Sequence, residues 1–365
     1  MNILFDIWGN IQKNLFPKLE EELGSLTKKE KHFVEVLAIA DLNSHIVEYE
    51  WKGKGRKRKQ RINFARAYLA KSIYNLPTTD MLIEMLMGSN NLRRLCGWES
   101  RYQVPSKPTF SRAFTEFAEK GFISQVFATT VTTHCGGKIA GHVSRDSTPI
   151  IAREKPAKKE PKAQSKQPKR KPGRPRKGEV VEPKPPKRLD LQPTRTLEEN
   201  LADLPTQCDK GTKKDSKGYK KSWNGYKLHI DCIDGDIPVS AALTAASLHD
   251  SQVAIPLAQM TAQRVPNLYD LMDAAYDAAT IKNFSIKLGH VPIIDHNPRG
   301  GVKIHMDSAT KKRYGERSAA ERINAYLKDN YGGRHVRVKG AQKVFTHLMF
   351  GLLAITATQI LRLAL

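Results

Sequence analysis

The sequence predicts an α/β protein: a mixed sheet flanked by helices, preceded by an N-terminal all-α region and interrupted by a basic, disordered insertion. Three observations carry this. From residue 2 to about 136, apolar residues recur at three- and four-residue spacing, the period of a helix. Beyond 137, strand-like runs alternate with helical patterns, and Asp234-Gly235 marks a hairpin between 227–233 and 237–243. Between the first strand and that hairpin, 153–188 is densely basic and rich in proline, with almost nothing apolar. Such a stretch cannot bury enough surface to offset the entropy of ordering it.

Taken in order, 28–46 and 64–87 read as amphipathic helices, the second bent or broken at Pro77 because the residue before a proline is pushed away from helical geometry. The cluster 51–61 (WKGKGRKRKQR) between them suits a phosphate-contacting loop or a solvated turn. In 92–117, Pro105, Ser106 and Pro108 form a turn, with Ser106 or Thr109 as a cap for the helix that follows. Two helices joined there fit a helix-turn-helix presenting Lys107, Ser111 and Arg112 to DNA, or a helical hairpin through which two subunits dimerise. The two are not exclusive.

The run 141–151 reads as a strand with Asp146 near its end. In the insertion, 169–177 (KRKPGRPRK) matches an AT-hook, whose extended Gly-Arg-Pro core would let Arg174 and Arg176 reach the floor of a narrow A·T minor groove. The plainer alternative is a basic linker. After the hairpin come a helix at 251–264, a strand in 267–277 ending at Asp273, a helix at 280–288 and a strand at 290–295. The apolar run 344–365 is nearly membrane length, but His347, Gln359 and Arg362 would be costly in lipid, which favours a core helix. The expected division is 1–136 for DNA binding or dimerisation, 137–152 with 222–335 for the catalytic unit, 153–221 for the insertion, and 336–365 for the closing helix.

In 365 residues, 61 Lys and Arg face 37 Asp and Glu, a net charge of +24. That surplus points to a polyanion, with nucleic acid ahead of an anionic membrane surface. The four cysteines show no CxxC spacing, so neither a zinc site nor a disulfide framework is expected, and a reducing compartment such as the cytoplasm suits them. The first residues lack the basic start and small-residue cleavage site of a signal peptide.

Chemistry concentrates in Tyr314, Arg317, Glu321 and Lys328. At about 100° per residue, one helix would hold all four within roughly 60° of arc. One acid among two cations and a phenol suits a surface that holds a metal ion against a phosphate backbone. The bland reading is an exposed Arg317–Glu321 pair worth a few tenths of a kcal/mol. Asp146 and Asp273, at strand ends, would add the oxygens a pair of Mg²⁺ ions needs, with Mn²⁺ as a substitute. Among rivals, Asp270 should face the other side of its strand, Asp277 should cap the next helix, and Glu316 projects off the stripe. His249 and Asp250 suit a pair supporting the site, or Asp250 a helix cap.

The spacing Tyr-x2-Arg-x3-Glu-x6-Lys, with Asp-x2-Tyr-Asp from Asp273 and Asp-Ser-Thr from Asp146, resembles the bacterial DDE-type insertion-sequence transposases with the Tyr-Arg-Glu-Lys signature. The segment 224–250 resembles their middle hairpin, and Pro-Ser-x-x-Thr-x-Ser-Arg from Pro105 their N-terminal region. The likeness runs from about Arg61 onward. It implies a ribonuclease-H-like fold with Asp146, Asp273 and Glu321 as a metal-binding catalytic triad. Tyr314, Arg317 and Lys328 would contact DNA, and a homodimer would hold two element ends in the bacterial cytoplasm, on the nucleoid. The implied activity is metal-dependent strand cleavage and strand transfer. The rival readings are a catalytically inactive AT-hook module and a metal-dependent nuclease.

Overall fold

The computed structural model describes residues 2–46, 58–157, 185–214 and 217–363. The AT-hook reading, with Arg174 and Arg176, and most of the basic cluster at 51–61 lie outside the described residues.

The sheet has six strands: β1 (Ala140–Ile151), β2 (Asp209–Lys214), β3 (Lys220–Ile233), β4 (Ile237–Ala245), β5 (Asn267–Met272) and β6 (Val291–Ile294). Their order is β2-β3-β1-β5-β6, with β4 also paired to β3. β1 runs antiparallel to β3 and parallel to β5, and β5 is parallel to β6, so the sheet is mixed as expected. The β3–β4 hairpin turns at Asp234 to Asp236, where Gly235 and Asp236 both take positive φ. The parallel steps need crossovers. One is the Ala279–Lys287 helix between β5 and β6, and Phe284 and Ile281 on its inner face are buried.

Parallel pairing of β1 with β5 ends near Ser144 and Leu271, whereas antiparallel pairing with β3 runs on to Ile151. Asp146 therefore stands in mid-strand, not near the end of β1. It lies where the parallel partner stops, so the carboxyl edge of β5 opens beside it.

The N-terminal region is helical, with Lys28–Ala40, Arg61–Ile73, Thr79–Gly88, Lys107–Glu119 and Phe122–Cys135 as its main elements. Pro77 falls in the gap between the second and third of these. Phe64, Trp98, Phe110, Tyr68, Phe114 and Phe350 form a chain of edge-on and tilted ring contacts. Phe350 belongs to the Ala341–Arg362 helix, and one contiguous apolar core joins the N-terminal helices, this helix and one face of the sheet. Of the apolar window of Ala341–Arg362, 94% is buried inside the protein, as a core helix requires. Its polar residues are satisfied there. His347 Nε2 meets the Gly332 carbonyl at 3.0 Å, and Thr356 donates to Pro238 O at 3.0 Å. All four cysteines are buried and free.

Two expectations need correction. The insertion was expected to be disordered as far as 221, but residues 185–214 are ordered. Short helices Arg188–Leu191 and Leu197–Ala202 pack on the Ala254–Ala262 helix, and β2 follows. A capping box, Thr196 with Glu199, starts the second helix, and Leu189, Leu201 and Leu204 supply the apolar anchors of the segment. The helix-turn-helix is also not formed as a compact motif. The Asn90–Leu95 helix has six residues, and 96–106, including a single 3₁₀ turn, separate it from Lys107–Glu119, far more than a three- to four-residue turn. Ser106 occupies the cap position of that helix without a side-chain cap bond.

Candidate active site on one face of β1

Side chains alternate along β1, so Ser144, Asp146 and Thr148 share a face while Arg145 points the opposite way. The Arg145 side is dry. Its guanidinium makes two bonds to Asp231, at 2.8 and 2.7 Å, and Thr261 adds a third to the same carboxylate, all beneath the Ala254–Ala262 helix. Asp270 also faces away from the site, bonded to Asn267 and His290, which removes it from contention as the alternation argument requires.

On the Asp146 face lies the Ser318–Asn330 helix, and its register with β1 is fixed by three contacts. Ala320 N–H donates to Ser144 Oγ at 3.3 Å, Asn324 Nδ2 to Asp146 Oδ2 at 3.1 Å, and Lys328 Nζ to Thr148 Oγ1 at 2.5 Å. Two strand residues advance about 6.7 Å and four helix residues about 6 Å, so the helix keeps pace with the strand over two turns. Ser144 also donates to the Arg317 carbonyl, closing the start of the helix onto the sheet.

Extending the β1–β5 register by two residues sets Asp273 level with Asp146 on the neighbouring strand. Asp273 caps the 3₁₀ turn Ala274–Tyr276 by accepting from Ala275 N–H at 2.8 Å, leaving its second oxygen available. Burial, then the charge of Asp273, pushes the Asp146 carboxyl up to about 6, against the pull of the Ser147 amide, Arg317 and Lys213. Tyr276 is buried below them, close enough that Asp250, Asp146 and Asp273 add to burial in raising its phenol well above the usual range, and its hydroxyl has no hydrogen-bond partner among the described residues.

Glu321 stands apart from that pair. Its Oε1 lies 2.5 Å from Arg317 Nη2, and its side chain is 53% exposed. Among the described residues, no three His, Cys, Asp or Glu side chains converge closely enough to hold one metal ion. Asp146 and Asp273 are thus electrostatically joined, and Glu321 is held apart by its cationic neighbour. The single helical stripe is also interrupted. Ser308–Tyr314 is one helix, Gly315–Arg317 a 3₁₀ turn, and Ser318–Asn330 the next helix. Arg317 still lies over the Tyr314 ring, 5.6 Å from its centroid.

The rivals settle elsewhere. Asp277 does not cap a helix; it accepts from Asn297 N–H at 2.9 Å and pairs with Lys282. Asp250 is not a cap either, since His249 holds that position and accepts from Ser251 N–H, while Asp250 pairs with Lys227 at 2.9 Å and lies beside Ser147. Glu316 is exposed near Arg322 and Asp236, away from the acids. In the N-terminal region, Lys107 is exposed and paired with Asp80, and Arg112 is exposed on a cleft it shares with Arg58, Lys59 and Arg61.

One residue escaped the sequence reading. At Gly225 the backbone takes φ +151, and a Cβ there would collide with the Ile150 carbonyl. Gly225 is where β3 changes partner, from β2 on one side to β1 on the other, and Lys213 of β2 influences both Asp146 and Lys328. Lys213 had been assigned to the disordered stretch, and only the ordered ribbon brings it to the acids.

In kind, the donor set suits a hard divalent cation: carboxylate oxygens with no thiol among them. A buried carboxyl with raised proton affinity beside a second acid is a pair short of positive charge, and the orphaned Tyr276 hydroxyl marks the same spot. Asp146 and Asp273 suit such an ion in kind, whereas Glu321 is engaged by Arg317.

Two family comparisons bear on this arrangement. Residues 189–357 match a family model described as Transposase DDE domain, and residues 21–116 match one described as Transposase domain (DUF772). The chain is a DDE-type insertion-sequence transposase. Together the matches span more than half of the chain, and the first takes in Asp273 and Glu321. Asp146 lies between them, so its candidacy rests on the register of β1 with β5 and with the Ser318–Asn330 helix. A comparison with curated proteins finds no match.

Proposed function

We propose that this transposase cleaves DNA strands at the ends of its element and joins them to target DNA, using Asp146, Asp273 and Glu321 on a ribonuclease-H-like fold. The observation that carries the reading is the pair of registers that sets Asp146 level with Asp273 and runs the Glu321 helix along the same strand. Asp146 and Asp273 would hold divalent metal, Mg²⁺ or Mn²⁺, with Glu321 completing the set when it leaves Arg317. Bound there, the metal would polarise the reacting phosphate and raise the acidity of a water or 3′-hydroxyl.

The chain's own residues do the rest. Asn324 fixes one oxygen of Asp146, and the Ser147 amide also holds the carboxylate. A DNA phosphate competing for the Arg317 guanidinium would free Glu321, coupling substrate arrival to assembly of the site. Lys328 and Lys213 supply fixed positive charge beside Asp146, where phosphate charge must be neutralised. Tyr314, half-buried against Arg317, offers a face on which a flanking base stacks. Residues 1–136, with Lys107 and Arg112, serve DNA binding or dimerisation in this reading, the AT-hook with Arg174 and Arg176 tethers the minor groove, and two subunits hold two ends.

The test is cleavage of a duplex carrying the element's own ends by the full chain in Mg²⁺. Asp146→Asn, Asp273→Asn and Glu321→Gln should each lower the rate by roughly a thousandfold, about 4 kcal/mol of lost transition-state stabilisation, while duplex binding survives. Retained cleavage in any of the three removes that residue from the triad. Absence of cleavage by the wild type in any divalent metal favours the DNA-binding module instead.

A further inference from the structure

Away from the acids, a cavity of about 460 Å³ opens between the N-terminal helices and the start of the Ala341–Arg362 helix. Six cations line it: Lys71, Lys107, Arg153, Arg337, Lys339 and Lys343. The one acid in the wall is Asp80, already paired with Lys107. Lys71 is the telling member. It sits inside the Arg61–Ile73 helix at 7% exposure, with no acidic partner or side-chain hydrogen bond among the described residues. An ammonium this desolvated, open only onto the cavity and with no counter-charge among the described residues, costs free energy that a structural role does not explain, because a methionine would fill the space without that cost.

The surroundings favour an anion. The cavity reaches the first residues of the Thr79–Gly88 helix, Thr78 to Asp80, whose N-terminal dipole end favours negative charge. Thr79, Ser111 and Thr115 bring hydroxyl groups to the same wall. Desolvation pulls the Lys71 ammonium down to about 8, a shift that a bound anion would reverse. The segment linking the Ser318–Asn330 and Ala341–Arg362 helices leads here. Its Arg334 adjoins Lys328 beside the acids, and its Arg337 and Lys339 line the cavity.

We infer that this cavity is a second phosphate site, with Lys71 at its base, and that it holds a backbone phosphate of the DNA whose reacting strand lies on the β1 face. The DNA part rests on the transposase reading; the capacity to bind phosphate does not.

Two measurements on the full chain test it. In thermal unfolding at fixed ionic strength, inorganic phosphate should raise the melting temperature saturably. Lys71→Met should abolish the rise and Arg337→Gln, at the rim, should weaken it, while the exposed control Lys287→Gln keeps it. In duplex binding across a salt series, Lys71→Met should lose about tenfold in affinity, the order expected for one charge-assisted contact. Its slope of log K against log salt should fall by about 0.9, one phosphate's worth. Phosphate protection with an unchanged DNA slope overturns the DNA assignment in favour of a free phosphate ligand. No protection in the wild type, or protection that survives both Lys71→Met and Arg337→Gln, overturns the site itself. Failure of DNA cleavage by the wild type would sink the transposase chemistry and leave the phosphate result standing, so the two failures are distinguishable.

Discussion

Asp146→Asn should stabilise the metal-free protein, and the size and pH dependence of that gain follow from the site. Burial and the neighbouring Asp273 raise the Asp146 carboxyl from 3.8 to about 6 in the folded protein. At about 1.4 kcal/mol for each tenfold change in proton affinity, the ionised group costs at most about 3 kcal/mol at pH 7. The amide keeps the Asn324 contact but packs less well, so a gain of about 1–2 kcal/mol is expected, or, for a chain of this length, a melting temperature higher by roughly 1–3 °C.

The sign follows from proton binding. Because the folded pKa lies above the unfolded one, the folded state holds the extra proton between about pH 6 and 4, and wild-type stability rises as pH falls through that window. The advantage of the mutant should therefore be full at pH 7 and gone by about pH 4. Thermal unfolding in EDTA at both pH values measures it. In millimolar Mg²⁺ the order should reverse, because ligand binding stabilises only the protein that has the carboxylate. A mutant less stable than wild type at pH 7 in EDTA, or a gain that persists at pH 4, would refute the reasoning.

Four further outcomes are expected. Arg317→Met frees Glu321, so calorimetric Mn²⁺ affinity without DNA should rise several-fold while duplex cleavage falls at least tenfold; unchanged metal affinity would mean that Arg317 does not restrain Glu321. Lys213→Ala should weaken duplex affinity roughly fivefold and shift the cleavage pH profile upward, since one of the charges holding Asp146 down is lost; an unmoved profile would place Lys213 outside the site. Arg145→Met leaves Asp231 charged and buried, and denaturant unfolding should show a loss of about 3–5 kcal/mol, against little change if the pair were peripheral. Gly225→Ala forces a Cβ against the Ile150 carbonyl, so proteolysis should cut the β2–β3 ribbon faster, and equal protection would show that the position tolerates a side chain.

The elements with strong local signals were legible. Asp234-Gly235 marked the β3–β4 turn, and Pro77 fell between helices. His347, Gln359 and Arg362 in an apolar run argued for protein surroundings, and 94% burial of that run agrees. What was missed depends on partners far along the chain. The length of β1 beyond Asp146 is set by β3, which outlasts β5, and nothing within 141–151 records that. Position 213 gains its place from the pairing of β2 with β3. Two misses did carry a local signal: Thr196 and Glu199 spell a capping box inside the stretch expected to be disordered, and Gly315 sits where the Tyr314 stripe breaks into a 3₁₀ turn. The candidate site was legible as residue types and spacing. The restraint of Glu321 by Arg317 was visible as an i, i+4 pair, but its exposure, which separates it from the two aspartates, is a tertiary fact.

The central claim is that Asp146, Asp273 and Glu321 share divalent metal once DNA is present. Anomalous diffraction from crystals of the full chain with Mn²⁺ and a duplex carrying the element's ends tests it most directly. The account predicts a manganese peak bridging Asp146 and Asp273, at about 2.0–2.3 Å from their oxygens, with the Glu321 carboxyl turned from Arg317 toward it. A DNA-bound structure with no peak there, or with Glu321 still on Arg317 and manganese held elsewhere, would contradict it.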